Sequence, residues 1–273
     1  MSKVQIIVPV INLWDKYTKA AIESIKTKHE YRVLLIDNAS TDNTSVEAGK
    51  LVSSTFAHQR NEERWAFSKS ANFGIKDAFE RGYDYAFVIN NDVLLHPEAI
   101  DRLVERFEKA KNNLVLDKSV DLQGEEPTAT ACYSETNVLA MVTSMDVRGE
   151  CAAPTDILTK DLKEKESVPE AEHPCFSAFM VNRLCWDKIG PMDEEFKPAY
   201  YEDNDYHYRI NLAGMKAIVL PTSLFYHYAS KTQTEALDKP ATSHEQFRAN
   251  QFYYVKKWGG MPGKENYKSA FNK

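Results

Sequence analysis

Apolar positions run through the first hundred residues in two alternating rhythms. VQIIVPV, from Val4 to Val10, is continuous and β-branched, as a strand covered on both faces is. From Asp15 to Lys28 the residues Tyr17, Ala21 and Ile25 recur at helical spacing. YRVLLI, Tyr31 to Ile36, predicts a second buried strand that runs into Asp37 and Asn38. STDNT then offers several N-cap candidates before a helix over Val46 to Val52. Phe67, Ala71, Ile75, Ala78 and Phe79 share one face of a third helix, stopped by Gly82. Tyr85 to Ile89 is a third strand, and His96-Pro97 opens a helix with Ile100, Leu103, Val104 and Phe107 at i, i+3, i+4, i+7.

This β-α-β-α order predicts a parallel sheet with helices on both faces, in which ligands bind beyond the carboxyl ends of the strands. Three such ends carry polar groups, Asn12, Asp37-Asn38 and Asn90-Asn91-Asp92, and are expected to converge on one crevice. From Asn112 to Pro174 the regularity fades. Val138 to Thr143 predicts a strand there, and the charged run DLKEKESVPEAE, Asp161 to Glu172, a solvated loop or short helix. CFSAFMVN (Cys175 to Asn182) and Met215 to Leu220 predict two more strands, the second ended by Pro221. His244 to Trp258 predicts an aromatic-rich helix stopped by Gly259-Gly260.

Composition narrows the function without naming it. The 273 residues are 43% apolar and 27% charged, as in ordinary globular proteins. A net charge of −6 disfavours broad phosphate neutralisation, and with it most nucleic-acid binders. The apolar stretch after Met1 is too short for a signal core, and no later stretch reaches the length of a membrane span. Cys132, Cys151, Cys175 and Cys185 show no CxxC spacing, which predicts free thiols in a reducing, cytoplasmic setting.

Two places carry candidate chemistry. The strand AFVI runs straight into Asn90, Asn91 and Asp92, bringing a carboxylate to the edge of a core. In YYEDNDYHYR, residues 200 to 209, Glu202, Asp203 and Asp205 crowd one turn at the start of a helix. First-turn carboxylates complement a helix dipole, but crowding of this kind also suits a cation or proton abstraction. His227, within Phe225-Tyr226-His227-Tyr228, is either a packed histidine or a metal ligand. Beside Asp92 it would complete a mixed oxygen and nitrogen site. The tyrosines 200, 201, 206, 208, 226 and 228 suit stacking on sugar rings or core packing equally.

Taken in order, IIVPVIN, LLIDNASTDNT, NEERWAFSKSANFGI, INND, IGPMDEEFKPAYYEDNDYHYRINLAG and VLPTSLFYHYASKT resemble the inverting family-2 glycosyltransferases of the GT-A fold, from Val4 to about Thr232. YYVKKWGG is a familiar ending among bacterial and phage members. The resemblance implies an α/β, Rossmann-like, mostly parallel mixed sheet. Residues 1–235 would form the glycosyltransferase domain (1–111 the nucleotide half, 112–235 the acceptor and catalytic half), and 236–273 a helical extension. It implies that Pro9 and Asn12 help form the nucleotide pocket and that Asp37 accepts a hydrogen bond from the base, as suits uracil. Asn72 matches a polar position at a helix start, and Gly74 allows close packing. Lys69 either reaches a phosphate or is solvated.

INND matches the position of an Asp-x-Asp motif in which only Asp92 is acidic. By the resemblance, Asp92 and His227 would bind Mn²⁺ or Mg²⁺ and Asn90 the ribose. Asn91 is a nucleotide contact or a turn residue, and Asn90 in place of an acid weakens the metal site. Asp203 matches the general base, with Glu202 beside it as a second catalytic carboxylate. Arg209 is expected in a salt bridge. The implied activity is metal-dependent, inverting transfer from a nucleotide-diphosphate sugar, most simply a UDP-sugar, to an acceptor hydroxyl. The acceptor is left open among a glycan, a lipid-linked sugar, a protein and a hydroxymethylated DNA base. A nucleotidyltransferase is the alternative enzyme, disfavoured because INLWDKY after Val10 has no glycine. A non-catalytic nucleotide- or glycan-binding module is the other alternative, disfavoured by the three retained carboxylates.

Overall fold

A strand whose two faces are both apolar must lie in the middle of a sheet covered on both sides, and β1 (Lys3–Val10) does so. Val4, Ile6, Val8 and Val10 face one core and Ile7 the other. The computed structural model describes residues 1–117, 138–172, 176–229, 231–237 and 242–273, the side chains of 112–117 and 233 excepted. Cys132, Cys175 and much of the irregular stretch before Pro174 lie outside the described residues.

The remaining strands are β2 (Glu30–Asn38), β3 (Phe56–Asn61), β4 (Tyr85–Ile89), β5 (Val93–Leu95), β6 (Val138–Asp146), β7 (Ala178–Asn182) and β8 (Met215–His227). They form one eight-stranded sheet in the order β3-β2-β1-β4-β7-β6-β8-β5. The first four are mutually parallel, β7 is antiparallel to β4 and β6, β8 is parallel to β6, and β5 is antiparallel to β8. The sheet is thus mixed in its second half, where the β-α-β-α order breaks down.

Three strands depart from the sequence expectation, one of them the three-residue β5 between the strand over Tyr85–Ile89 and the helix after His96-Pro97. The polar segment FAHQRN is β3, an edge strand with one neighbour, so it needs no apolar run. β8 does not end at Leu220 but continues through Pro221 to His227. Its pairing with β6 jumps from Ser144↔Leu220 to Met145↔Leu224, so Pro221, which has no N–H to give, falls in the irregularity.

The helices are α1 (Lys19–Glu23, preceded by a wide turn over Trp14–Thr18), α2 (Thr44–Lys50), α3 (Phe67–Glu80), α4 (Ala99–Asp117), α5 (Arg183–Ile189), α6 (Glu202–Leu212), α7 (Lys231–Thr234) and α8 (His244–Trp258). α4 buries Ile100, Leu103, Val104 and Phe107 on one side of the sheet. On the other, Ala71, Ile75 and Ala78 of α3 join Tyr206 and Ile210 of α6. Gly74 lies so close to β1 that a Cβ there would stand 2.4 Å from Ile7 Cγ2. α8 packs Tyr254 and Trp258 against Phe196 and Tyr201 and ends at Gly259 with a positive φ of 74°. No helix among the described residues is long and apolar enough to cross a membrane.

Candidate active site

The carboxyl ends of β1 and β4 lie side by side, and a cavity of about 240 Å³ opens beyond them. Pro9, Asn38, Asn90, Asn91, Asp92, Glu202, Asp203 and His227 all line it. Asn12, Asp37, Lys69 and Asn72, expected at the nucleotide, do not.

Asn12 staples two loops together. Its backbone turns at φ 57°, a conformation asparagine tolerates, and its Oδ1 accepts from the N–H of Thr41 at 2.7 Å. Its Nδ2 donates to Ala236 O at 2.6 Å. In return Ser40 Oγ and Asp42 Oδ2 accept from the N–H groups of Asn12 and Leu13 at 2.8 and 2.7 Å. The DNASTDNT segment therefore closes the β1 turn. Asp37 is fully buried because the parallel register sets it opposite Arg60. Arg60 Nη1 donates to it at 2.9 Å, His58 Nε2 is 3.7 Å away, and the N–H of Ser40 takes its other oxygen. Asn38, one residue on, faces the cavity. Asn72 is engaged by Met192 N, Met192 O and Glu194 Oε1, all within 2.9 Å, and ties α3 to the loop before α6.

At the β4 end, antiparallel pairing of β5 with β8 aligns Val93 with His227, which brings His227 Nε2 to 3.2 Å from Asp92 Oδ1. The backbone N–H of Lys231, at the start of α7, donates to Asp92 Oδ2 at 3.0 Å. Asn91 donates to Thr18 Oγ1 and accepts from Thr232 Oγ1, at 3.0 and 2.9 Å. Glu235 accepts from Lys16, Tyr17 and Lys231, holding the segment after α7 over this end. No group of three or more His, Cys, Asp or Glu side chains among the described residues is arranged to hold a metal alone. A carboxylate and an imidazole in contact on a cavity wall do fit a divalent ion that brings further ligands from phosphate and water.

At the other end, the three crowded carboxylates separate into different roles. Asp205 is wholly buried and accepts from Arg209 Nε (3.0 Å), Trp258 Nε1 (2.9 Å) and Lys257 Nζ (2.6 Å). Lys257 also holds Asp193 at 2.6 Å, so α8 is fastened to α6 by a buried charge network. Arg209 makes the expected salt bridge and also donates to Ile189 O and Pro191 O. Glu202 and Asp203 instead face the cavity. Glu202 is 7% exposed and its Oε2 has no hydrogen-bond partner. Burial, then repulsion from Asp203, pushes its carboxyl up to about 8.

The backbone leading into α6 is strained. Tyr200 and Tyr201 have φ of 81° and 74°, unusual for bulky residues, and Asn250 of α8 holds the carbonyls of Ala199 and Tyr200 at 2.9 and 3.1 Å. Among the tyrosines, Tyr206 is core and Tyr208 donates to Tyr267 O, whereas Tyr200 lines the cavity. Arg64, Trp65, Ser177 and Thr232 also line it and were not singled out from sequence. Burial holds the Arg64 guanidinium below its usual range. The one signal for it was a cation beside an aromatic just before a helix that starts at a strand end.

Residues 5–146 match the family model Glycosyl transferase family 2, over half of the chain. A galactofuranosyl glycosyltransferase of Leishmania donovani is 24% identical over 180 residues, covering 61% of this chain and 41% of the relative. The fold resembles S. aureus TarS residues 1–349 in complex with UDP (TM-score 0.57, 17% identity, 93% of this chain, 63% of that one). It also resembles GalNAc-T7 with UDP, GalNAc and Mn²⁺ (TM-score 0.60, 16% identity, 94% of this chain, 48% of that one). The chain thus spans less than two thirds of each of these proteins. With its mixed sheet and flanking helices it has the GT-A fold, and it belongs to glycosyl transferase family 2.

Proposed function

We propose that the chain transfers a sugar from a UDP-sugar to an acceptor hydroxyl by a metal-dependent, inverting single displacement. One observation supports this above others: a single cavity has the Asp92–His227 pair in one wall and Glu202 with Asp203 in another. The UDP in both structural relatives, and the Mn²⁺ in one, support the choice of donor and ion.

Asp92 and His227 would hold Mn²⁺ or Mg²⁺, which when bound would offset the charge developing on the diphosphate leaving group. Asn90, in place of a second acid, lines the same wall and suits a hydroxyl of the nucleotide. Asp205 is tied to three donors, and burial with repulsion from Asp203 pushes the Glu202 carboxyl up, which suits neither to the role of base. Asp203 lines the cavity at the position that the family resemblance gives to the general base. It accepts the proton of the acceptor hydroxyl as that oxygen bonds to the anomeric carbon and the diphosphate departs from the opposite face. Residues 1–111 form the nucleotide half in this scheme and 112–235 the catalytic half, with 236–273 an extension that holds α6. Free thiols at Cys151 and Cys185 suit work in the cytoplasm.

The test is incubation with a panel of nucleotide sugars and Mn²⁺, following UDP release and the anomeric configuration of the product by NMR. UDP release with inversion, suppressed by EDTA and restored by Mn²⁺, is the expected result. Retention of configuration, or full activity in EDTA, would overturn it.

A further inference from the structure

A second cavity, of about 390 Å³, opens beside the first and shares Arg64, Trp65 and Pro198 with it, so the two make one cleft. Asp92 and His227 line only the first. Glu202 and Asp203 line only the first as well, but the shared Pro198 stands four and five residues before them, through Ala199, Tyr200 and Tyr201, so the second cavity adjoins the segment that carries the base. In a single displacement the attacking hydroxyl approaches opposite the leaving diphosphate. The rest of the acceptor must then run towards the second cavity.

Its lining has a definite chemistry. Trp65 is half-buried and held in place, with Phe73 edge-on at 5.5 Å and Lys69 Nζ 4.5 Å from the ring centre. Gln246 of α8 and Lys197 bring hydrogen-bonding groups from the other side. The lining charges nearly cancel: Arg64, Lys69 and Lys197 stand against Glu63 and Glu194, with Lys69 3.7 Å from Glu63 and Lys197 3.5 Å from Glu195 outside the lining. Such a site has little surplus charge for a polyanion such as DNA. Its apolar wall, Trp65, Ala66 and Pro198, is too short for a lipid chain. An aromatic plate ringed by amide and charged groups matches a sugar, which offers a C–H face and hydroxyl edges. At the mouth, Tyr200 (37% exposed) packs on Phe247 (36% exposed), extending the aromatic surface outward.

We propose that this cavity is an acceptor subsite for a saccharide: the acceptor is a glycan of more than one sugar unit, with the unit next to the attacked one stacked on Trp65 and hydrogen-bonded by Gln246 and Lys197. The assignment rests on the glycosyl-transfer reading above.

The test titrates monosaccharides, their oligosaccharides, a peptide, a lipid-linked sugar and hydroxymethylated DNA into the full chain with UDP and Mn²⁺. It follows tryptophan fluorescence and, with the preferred UDP-sugar, transfer. Oligosaccharides are expected to change the fluorescence and to exceed their own monosaccharides as acceptors. Trp65→Ala should abolish that fluorescence change and raise the acceptor KM about tenfold. Gln246→Ala, exposed on α8 and losing one capping bond from the Ser243 N–H at 2.9 Å, should raise it about fivefold. An unchanged acceptor KM in both variants would overturn the proposal, as would transfer to peptide, lipid or DNA with saccharides inert. Saccharide-dependent fluorescence without turnover of any nucleotide sugar would instead refute glycosyl transfer and leave the saccharide site standing.

Discussion

The two ends of the cleft are built on opposite principles. At the Asp92 end the carboxylate and its neighbouring amide are answered from within the chain: Asp92 by His227 and the N–H of Lys231, Asn91 by Thr18 and Thr232. At the α6 end Glu202 keeps an unpartnered buried oxygen beside Asp203, and two tyrosines hold strained backbone. The first end is preorganised, which suits binding a charge that does not change place. The second stores electrostatic and backbone strain, which suits a proton that must move. What allows the second end to persist is a neighbouring network, Asp205 with Lys257, Asp193 and Trp258, that binds α8 to α6.

The contrast is open to direct attack. Asp203→Asn, which keeps the shape and removes the base, should lower kcat by about three orders of magnitude while UDP affinity, by calorimetry, stays within twofold. Near-native turnover in that variant would move the base elsewhere. Lys257→Met leaves buried Asp205 with Arg209 as its one remaining cation and half-buried Asp193 without its lysine, and should cost roughly 3 kcal/mol of stability. Thermal unfolding would show this as a drop of about 10 °C, and an unchanged Tm would mean that α8 does not hold α6. Asp92→Asn should weaken Mn²⁺-dependent UDP binding by about a hundredfold, with little change when metal is absent. Equal loss with and without Mn²⁺ would assign Asp92 to structure instead.

The last test concerns Glu202, and its effect depends on pH. Its carboxyl is raised from an ordinary 4.5 to about 8, so the folded chain binds this proton more tightly than the unfolded chain. The stability it contributes is complete below pH 4.5 and is lost as pH climbs towards 8. Glu202→Gln, permanently neutral, should match the wild type near pH 5 and surpass it in Tm increasingly up to pH 8, levelling off beyond. Parallel Tm curves across that range would show that Glu202 is ionised throughout.

Where one rhythm of apolar residues repeats without interruption, the chain could be read almost residue by residue. β1, β2, β4, α3 and the Ile100–Phe107 face of α4 follow their patterns because each buries a complete face on a neighbour adjacent in the chain. β3 could not be read, since an edge strand need not be apolar. β8 could not be followed past Pro221, since only its β6 partner shows the irregularity that accommodates proline. The site divides in the same way. Asp92, Glu202, Asp203 and His227 could be singled out as costly groups in unusual company, and they line one cavity. Asn12 and Asp37 stand out on the same grounds, and Asn72 by the family resemblance alone, yet within the chain they are engaged by loops and by Arg60. A polar residue at a strand end looks alike whether it faces a ligand or a neighbouring loop.

By itself, then, the amino-acid order determined the class of fold, the parallel half of the sheet and a short roster of candidate groups. Those depend on local periodicity and on the cost of burying charge, which are properties of the chain. Only tertiary structure decided which of the three carboxylates at 202, 203 and 205 faces the cavity, because a helix turn points them to different partners and Lys257, more than fifty residues away, claims one. It likewise decided that Asp92 meets His227, 135 positions apart, through a strand pairing that no local pattern encodes.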